Sequence, residues 1–276
     1  MESPTPNAKA RPATPARIYD YILGGIHNFP ADQEAARRIL ELYPDARVMA
    51  RANRAFLRRA IRFLTDAGIR QFLDVGSGIP SQGNVHEIAQ PAAPGSRVVY
   101  VDIDPVAVAE GLELLAGNPN ATSIHGDLRR PGEILNNATL RKLLDLDQPV
   151  ALLIAAVLHF IPDDDRPYAL VAELVAALPA GSYLLLSQSA TEAVQPESSN
   201  AQTIIDLYKR QAATASKART RAEFERFFTG LDLVDPGVVW VAEWRPDSAE
   251  AEQFVEQPER SLLWAGVARK PSTTTA

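Results

Sequence analysis

The sequence predicts an α/β protein whose central sheet is mostly parallel. From about residue 71 onward, short apolar segments alternate with segments of helical pattern, which is typical of this class. Residues 151–158 are continuously apolar, as expected for a strand that is buried on both faces. Residues 72–75 run directly into Gly76 and Gly78, a turn of the kind that joins a parallel strand to the next helix.

The region before the sheet is predicted to be largely helical. Residues 32–42 contain helix formers throughout, and residues 51–64 place apolar side chains on one helical face. The segment 16–30 is instead dense in Tyr, Gly, His and Asn, and Gly24 with Gly25 interrupts a helix, so we expect a loop that folds over a ligand. The predicted divisions are a flexible segment 1–15, a helical cap or lid 16–66, a core 67–270 and a flexible tail 271–276.

The elements of the core follow in a regular order. Strands are predicted at residues 72–75, 98–102, 151–156 and 183–187, with a shorter one at 123–125. Helices are predicted at residues 85–90, 105–115, 140–144 and 164–178. A capping box from Thr220 to Glu223 predicts a further helix that ends near Phe228. Residues 238–243 and 262–268 are expected to form an antiparallel hairpin at the edge of the sheet.

Composition limits the class of protein and its partners. The 276 residues are 46% apolar, enough for a sizeable core, and carry a net charge of −6. This charge argues against a broadly basic nucleic-acid surface. The chain has no cysteine, which excludes disulfides and cysteine-ligated metals. No apolar run approaches the ~20 residues that span a bilayer, and the first residues do not resemble a signal peptide, so we expect a cytoplasmic protein without a membrane partner.

Acidic residues follow successive predicted strands at regular distances. Asp102 lies 26 residues after Gly76, and Asp127 lies 25 residues after Asp102. Ligands of open α/β sheets bind at the carboxyl ends of strands, where an acid such as Asp102 can accept hydrogen bonds from both hydroxyls of a ribose. Asp127 can accept one from an adenine amino group, and Leu128 can supply an apolar face. The three strand ends together predict a nucleoside site.

The glycine turn favours S-adenosylmethionine (SAM) over a dinucleotide. A dinucleotide fingerprint requires a third glycine, and the residues after Gly78 are Ile79, Pro80 and Ser81. A pyrophosphate also needs close approach to a helix N-terminus, which Pro80 fits poorly. Asp74 precedes the turn, where it could bind the ammonium group of a methionine moiety directly or through water.

Several motifs resemble those of known methyltransferases. Residues 73–78, 101–104 and 126–128 read Leu-Asp-Val-Gly-Ser-Gly, Val-Asp-Ile-Asp and Gly-Asp-Leu, and they resemble the first three SAM-binding motifs of Rossmann-like, class I methyltransferases. Residues 16–25, 27–29, 50–54 and 84–87 narrow the resemblance to a bacterial family of SAM methyltransferases long known as a domain of unknown function. The resemblance extends from about Arg17 to Lys270, and the chain departs from the usual glycine motif at Pro80.

Membership in this family implies a fold and a cofactor, and leaves the substrate open. The fold is a seven-stranded, mostly parallel sheet with a reversed last strand, which here carries an N-terminal helical cap. The expected cofactor is SAM, and the product is S-adenosylhomocysteine. The predicted cofactor-binding residues are Tyr19, Arg54, Asp74, Gly76, Ser77, Gly78, Asp102, Ile103, Asp127 and Leu128.

The residues that would bind the methyl acceptor are less clearly indicated by the sequence than those that would bind the cofactor. His159 follows the fourth strand and is the candidate catalytic base, with a wall residue that packs against SAM as the alternative. Tyr21, His27 and Asn28 could close over SAM and shape the acceptor pocket, or could simply pack this segment on the sheet. Arg51 could contact an anionic acceptor, or could belong to a solvated helix face. No metal site is expected.

The function predicted from these observations is a SAM-dependent methyltransferase that acts on a small molecule by in-line methyl transfer. A first alternative is a SAM-binding sensor without turnover, which the lack of an assured base would fit. A second is an NAD-dependent oxidoreductase, although the sequence has no Tyr-x-x-x-Lys dyad that would support it. Nucleic-acid methylation is disfavoured by the acidic charge balance, and the sequence specifies neither the acceptor nor the oligomeric state.

Overall fold

The computed structural model describes residues 12–79, 83–192, 216–247 and 257–272. Pro80, at which the glycine motif departs from the usual pattern, lies outside these ranges, as do most of the predicted flexible ends. The α-helices are α1 (Pro15–Leu23), α2 (Pro30–Leu42), α3 (Ala46–Asp66), α4 (Val85–Ala92), α5 (Pro105–Leu114), α6 (Pro131–Leu135), α7 (Ala138–Leu143), α8 (Pro167–Ala176) and α9 (Arg221–Glu225). The strands are β1 (Gln71–Val75), β2 (Arg97–Asp102), β3 (Ala121–His125), β4 (Ala151–Ala155), β5 (Tyr183–Ser189), β6 (Asp232–Leu233), β7 (Val239–Trp240) and β8 (Leu263–Arg269).

These strands form an eight-stranded sheet in the order β3-β2-β1-β4-β5-β8-β6, with β7 also paired to β8. Strands β1 to β5 are mutually parallel, and β8 runs antiparallel to β5 over the whole of both strands. Strands β6 and β7 pair with opposite ends of β8, at Ala268–Arg269 and at Trp264–Ala265. The predicted mostly parallel sheet with a reversed strand is confirmed, and the strand number exceeds seven because two short strands share the outermost position.

The segment predicted to be a loop is largely a helix, so this prediction was wrong for its first half. Thr14 caps the amino end of α1, with its side chain accepting from the Arg17 N–H, and Pro15 occupies the first turn. The buried side chains of Ile18 and Ile22 then give the helix an apolar face. Gly24 ends α1 in the left-handed conformation, at φ +88°, and so serves as a C-cap. Only residues 24–29, between α1 and α2, form a loop.

The core consists of two apolar layers on the two faces of the sheet and a third cluster under the first helices. On one face, Phe56 and Ile61 of α3 pack with strand residues such as Phe72. On the other face, Leu174 of α8 packs with strand residues such as Leu73. The third cluster joins α1, α2 and the beginning of α3 through side chains that include Ile18, Ile22, Ala36, Ile39 and Ala50. Within the described ranges, no helix combines the length and apolar character needed to cross a bilayer.

Candidate active site

A cavity of about 1340 Å³ lies where β1, β2, β3 and β4 end. The segments that follow these four strands form one wall, and residues of α1, α2, α3 and the chain preceding β8 form the other. This is the edge of an open α/β sheet at which ligands bind, because parallel strands place their carboxyl ends and following loops together.

The predicted cofactor residues all meet at this cavity. Its lining includes the ten predicted cofactor-binding residues and the candidate base, namely Tyr19, Arg54, Asp74, Gly76, Ser77, Gly78, Asp102, Ile103, Asp127, Leu128 and His159. The four predicted substrate or lid residues, Tyr21, His27, Asn28 and Arg51, are not part of that lining. No group of three or more potential metal-ligating side chains occurs among the residues that the structure describes.

The glycine turn after β1 depends on glycine for two separate reasons. Gly76 and Gly78 have φ values of +78° and +64°, in the left-handed region that disfavours other residues. A Cβ atom at Gly76 would also lie 2.3 Å from Cγ2 of Val157, whereas one at Gly78 would have no heavy atom within 4 Å. Gly76 thus allows the chain after β4 to pack directly on the turn.

Replacing Gly76 by alanine should lower the free energy of unfolding by about 2–3 kcal/mol, because left-handed strain of ~1 kcal/mol adds to overpacking against Val157. Gly78→Ala is the matched control, since it has the same strain and open space, and we expect a loss of ~1 kcal/mol. Urea denaturation followed by circular dichroism measures both. In a chain that already carries Val157→Ala, adding Gly76→Ala should cost only the backbone strain, because the side chain that causes the overpacking has been shortened. Equal losses for the two glycine variants would contradict the packing role of Gly76.

Asp102 is buried at the end of β2, and its carboxylate already organises the glycine turn. Its Oδ2 accepts a hydrogen bond from the Gly78 N–H at 2.7 Å, and its Oδ1 accepts one from the Asp104 N–H at 2.8 Å. Burial raises the pKa of Asp102 to about 6, although these backbone donors act in the opposite direction. Each carboxylate oxygen has a second lone pair, so Asp102 retains the capacity to accept hydrogen bonds from a ligand in the cavity.

Asp74 is the most strongly perturbed acid of the site. It is 9% exposed, and burial raises the pKa of its carboxyl group to about 7, while the positive charge of Arg54 lowers it and the negative charge of Asp102 raises it. Near neutral pH the carboxyl group is therefore divided between its protonated and ionised forms. A cationic group bound beside it would favour the ionised form.

Asp127, after β3, is held in an ionised state by a neighbouring arginine. Arg129 Nε lies 2.9 Å from Oδ1, Arg129 Nη2 lies 2.8 Å from Oδ2, and the Arg129 backbone N–H donates to Oδ1. Although partial burial alone would raise the pKa of Asp127, the hydrogen bonds and charge of Arg129 hold it below its usual range. The carboxylate is thus a charged hydrogen-bond acceptor at neutral pH, fixed in orientation by the bidentate contact.

A buried polar chain links α1, α3 and β5 beside the cavity. The Tyr19 hydroxyl donates to the Ala50 carbonyl at 3.1 Å and accepts from Asn53 Nδ2 at 3.3 Å. Ser187 Oγ donates to Asn53 Oδ1 at 2.7 Å, and the Ala156 N–H donates to Ser187 Oγ at 3.0 Å. Asn53 is 2% exposed and belongs to the motif at residues 50–54. Its position as a polar residue within the apolar stripe of α3 is a usable signal of a buried polar contact.

His159 lies in the 3₁₀ turn Leu158–Phe160 that follows β4, and its side chain lines the cavity. It is 9% exposed, and its Nδ1 is buried without a hydrogen-bond partner among the described residues. Burial lowers the pKa of His159 to about 3, with a further contribution from the charge of Arg219. The imidazole is therefore neutral near pH 7 and poorly suited to hold a proton as a general base.

Arg219 anchors the turn that carries His159. Its side chain is fully buried, with Nη1 donating to the Leu158 carbonyl at 2.9 Å and Nη2 donating to the Ile161 carbonyl at 3.0 Å. Nη2 also forms an ion pair with Asp163 at 2.9 Å. These contacts fix the backbone on both sides of His159, so the wall of the cavity after β4 is held by a residue sixty positions later in the sequence.

The predicted lid residues brace the first helices and do not face the cavity. His27 Nδ1 lies 2.7 Å from Glu110 Oε2 of α5, and Asn28 Nδ2 donates to Asp20 Oδ2 at 2.8 Å. Tyr21 packs against the cluster under α1 and α2, and Arg51 lies on the exposed side of α3. The side chains of Tyr21, His27 and Asn28 make contacts within the loop and between helices, and Arg51 is exposed, which sequence patterns alone did not distinguish from a lid.

Arg17 connects α1 to the end of β2 through buried ion pairs that sequence reasoning did not identify. Its Nε lies 2.9 Å from Asp32 Oδ2, and its Nη1 lies 2.6 Å from Asp104 Oδ2. Thr14 Oγ1 donates to the same Asp104 oxygen at 2.6 Å, and the Asp104 N–H donates to Asp102. The signal in the sequence was Asp104 directly before a proline, a helix N-cap whose second carboxylate oxygen needs a partner.

The chain is similar in sequence and structure to several known proteins. The chain is 42% identical to a DUF574 family protein from Streptomyces avermitilis, with a TM-score of 0.88 and 94% of this chain and 98% of that one covered. It is 37% identical to a candidate methyltransferase from Thermobifida fusca, with a TM-score of 0.87 and 99% and 100% covered. The plantazolicin methyltransferase BamL, crystallised with a triazolic desmethylPZN analog and S-adenosylhomocysteine, is 14% identical, with a TM-score of 0.55 and with 92% of this chain and 95% of that one covered. At this identity it shows likeness of fold alone. No similar sequence was found among the curated proteins.

A sequence model described as S-adenosyl methyltransferase matches residues 2–271, nearly the whole chain. The cofactor is SAM, and the activity of the family is SAM-dependent methyl transfer, so the NAD-dependent alternative is set aside. With the glycine turn and the strand-end carboxylates gathered at one cavity, this match identifies the chain as a member of the S-adenosyl methyltransferase family.

Proposed function

We propose that the protein methylates a small-molecule acceptor, and that the residues at the ends of β1 to β4 hold the cofactor. The observation that carries this proposal is the meeting of the glycine turn, Asp102 and Asp127 at one cavity. These residues fit SAM, since the carboxylates of Asp102 and Asp127 retain lone pairs that can accept hydrogen bonds from the ribose and adenine groups. Gly76 has no side chain that would block the approach of the cofactor to the backbone. The acidic balance of the chain favours a small acceptor over a nucleic acid.

Each cofactor residue has a role that follows from its chemistry. Asp102 accepts from the ribose hydroxyls, and Asp127 accepts from the adenine amino group. Ile103 and Leu128 supply apolar surface for the adenine ring, and Asp74 pairs with the methionine ammonium. The remaining members, Tyr19, Arg54, Ser77 and the two glycines, shape the pocket around the amino-acid tail.

SAM supplies a methyl group on a sulfonium, which accepts the electron pair of the breaking C–S bond, so the chain mainly binds and orients the reactants. The neutral His159 can donate or accept a hydrogen bond to the acceptor, and its burial disfavours a stored proton. The buried wall held by Arg219 excludes water from the same side of the cavity. We propose that His159 positions the acceptor and does not act as a general base.

The proposal also covers the division of the chain into a cap and a core, its source and its cellular location. We propose that residues 16–66 form a cap whose inner surface completes the cavity, while Tyr21, His27 and Asn28 brace it from outside. The bacterial sources of both similar structures support a bacterial protein. A cytoplasmic location stays a prediction.

A fractionated bacterial extract tests the acceptor class. Purified protein with methyl-labelled SAM is incubated with the small-molecule, protein and nucleic-acid fractions, and label transfer and S-adenosylhomocysteine are measured. We expect both only with the small-molecule fraction. Label in protein or nucleic acid would contradict the proposal, and binding of SAM without transfer to any fraction would favour the sensor alternative.

The affinity for S-adenosylhomocysteine should increase with pH through the pKa of Asp74. The ammonium group of the ligand binds the ionised carboxylate, so below pH 7 binding must release the proton of Asp74. The affinity therefore falls by up to about tenfold for each pH unit by which the pH is lowered below 7. Above pH 7 the carboxylate is already ionised and the dependence disappears until the ligand's own amino group titrates. Isothermal titration calorimetry between about pH 5.5 and 7.5, in buffers of different ionisation enthalpy, measures both the affinity and the proton release.

Asp74→Asn is the matched control, because it keeps the shape of the side chain and removes the titrating group. We expect weak binding that changes little between about pH 6.5 and 7.5, with a residual dependence at lower pH from Asp102, whose pKa is about 6. An unchanged pH profile in this variant would show that Asp74 is not the group linked to binding.

A further inference from the structure

The cavity is larger than one ligand requires. Its volume of about 1340 Å³ exceeds the range of roughly 300–1000 Å³ that is usual for a small-molecule site. The proposed cofactor residues lie mainly at the strand ends, and the cavity continues from there between α1, α2 and the amino-terminal part of α3. Space therefore exists for a second ligand in contact with the first.

This second part of the cavity, here called the apolar chamber, has walls of aliphatic side chains, and Tyr43, Asp45, Glu259 and Arg260 lie at its rim. The chamber residues are Ile22, Leu23, Ile39, Leu42, Ala46 and Met49. Ala46 and Met49 share a face of α3 with Asn53, which places the chamber next to the polar chain of Tyr19 and Ser187. A ligand in the chamber can thus reach the cofactor end along one helix face.

Each arginine that lines the cavity, among the residues that the structure describes, already has a partner within the protein. Within the described part of the chain, the arginines that line the cavity are Arg54, Arg129 and Arg260. Arg260 at the rim of the chamber makes a bidentate ion pair with Asp45, with Nε–Oδ2 and Nη2–Oδ1 distances of 3.1 and 3.0 Å. Arg129 is paired with Asp127, and Arg54 donates to the Gly83 carbonyl and to Asn84.

The rim of the chamber also contains a strained backbone. Leu262, directly before β8, lines the cavity with φ at +57°, a conformation that is unfavourable for a bulky residue. Strain of this kind persists where the surrounding structure requires it, often at ligand sites. Nearby, burial raises the pKa of the Tyr43 hydroxyl, which therefore stays neutral.

We infer that the apolar chamber binds the methyl acceptor, and that the acceptor is an uncharged molecule with a large apolar body. Aliphatic walls gain free energy from apolar surface and penalise a charge that finds no partner. The nucleophilic group of this acceptor lies toward Asn53 and the strand ends. This inference rests on the proposed function, since it places the acceptor beside the cofactor pocket.

Three probes with the same ring system test the preference for an uncharged ligand. Equilibrium dialysis at pH 7 measures the binding of 1-naphthol, 1-naphthoate and 1-naphthylmethylammonium to the full chain saturated with S-adenosylhomocysteine. We expect 1-naphthol to bind at least about tenfold more tightly than either charged probe. Equal or tighter binding of a charged probe, or no binding of 1-naphthol, would overturn the inference.

Substitutions at Met49 locate the probe. Met49→Glu should weaken 1-naphthol binding by at least about tenfold, and the isosteric Met49→Gln by about threefold, because each places a polar group in the apolar wall. Leu112→Glu, at a side chain on α5 that is 50% exposed and outside the cavity lining, should leave it unchanged. The affinity for S-adenosylhomocysteine should be the same in all three variants.

Binding of S-adenosylhomocysteine and binding of 1-naphthol distinguish a failure of the proposed function from a failure of the acceptor inference. If the wild-type chain does not bind S-adenosylhomocysteine, the proposed function is overturned before any probe is added. If it does, and 1-naphthol binding is insensitive to both Met49 substitutions, only the acceptor inference is overturned. Should Met49→Glu not fold, Met49→Gln and the selectivity of the wild-type chain decide the question.

Discussion

Replacing Arg17 by methionine is expected to lower the free energy of unfolding by about 3–5 kcal/mol, the usual loss when one member of a buried ion pair is removed. Arg17 is 3% exposed and pairs with both Asp32 and Asp104, which are also buried. Methionine preserves most of the volume but leaves the two carboxylates without their cation. Urea denaturation at pH 7, followed by circular dichroism, measures the loss.

A surface ion pair close by provides the matched control. Arg38 and Glu41, on α2, form an exposed pair at 2.7 Å, and Arg38→Met should change stability by less than about 1 kcal/mol. The triple variant Arg17→Met/Asp32→Asn/Asp104→Asn should recover part of the loss, because it removes the uncompensated charges. Comparable losses in Arg17→Met and Arg38→Met would show that the buried pairs do not hold α1 against the sheet.

Replacing Asp102 by alanine is expected to abolish tight binding of S-adenosylhomocysteine. Two hydrogen bonds from ribose hydroxyls to a charged acceptor contribute about 1.5–3 kcal/mol each, so their loss weakens binding by roughly a hundredfold to ten-thousandfold. The variant also removes the hydrogen bonds that the Gly78 and Asp104 N–H groups donate to Asp102. Their loss loosens the turn beneath the cofactor. Isothermal titration calorimetry measures the affinity.

Two further variants distinguish the loss of the ribose contacts from a general effect of removing an acidic residue. Asp102→Asn keeps the side-chain shape and one acceptor, so we expect an intermediate loss. Asp147→Ala removes an exposed acid close before β4, at the opposite end of the sheet, and should bind normally. Unchanged affinity in Asp102→Ala, with folding confirmed by circular dichroism, would refute the assignment of the ribose site.

The strand-end constellation was predictable because the information is local in sequence. A buried strand followed by Gly76 and Gly78, and acids at the ends of β2 and β3, describe one edge of a parallel sheet without knowledge of distant contacts. Eight of the ten predicted cofactor-binding residues line the cavity for this reason, whereas Tyr19 and Arg54 reach it from α1 and α3. The bounds of α1 were missed because Gly24 was interpreted as interrupting a helix, whereas it ends one.

Three buried residues make contacts that the sequence did not reveal, because their partners lie far away in the chain. Arg17 finds Asp104 across 87 positions, Asn53 finds Ser187 across 134, and Arg219 binds the turn that begins with Leu158. A buried arginine and an arginine of a solvated face have the same local sequence pattern. Only packing distinguishes them, because burial removes the competing water and makes the pairing essential.

The sequence by itself determined the class of fold and the cofactor, and it predicted the edge of the sheet at which we propose that the cofactor binds, since turn conformation and hydrogen-bonding chemistry are properties of the local chain. The tertiary structure decided what lies opposite that edge. It showed that α1, α2 and α3 enclose an apolar chamber, that His159 is buried and neutral, and that the predicted lid residues point elsewhere. The shape and polarity of a cavity depend on side chains brought together from distant segments, and no spacing along the chain specifies them.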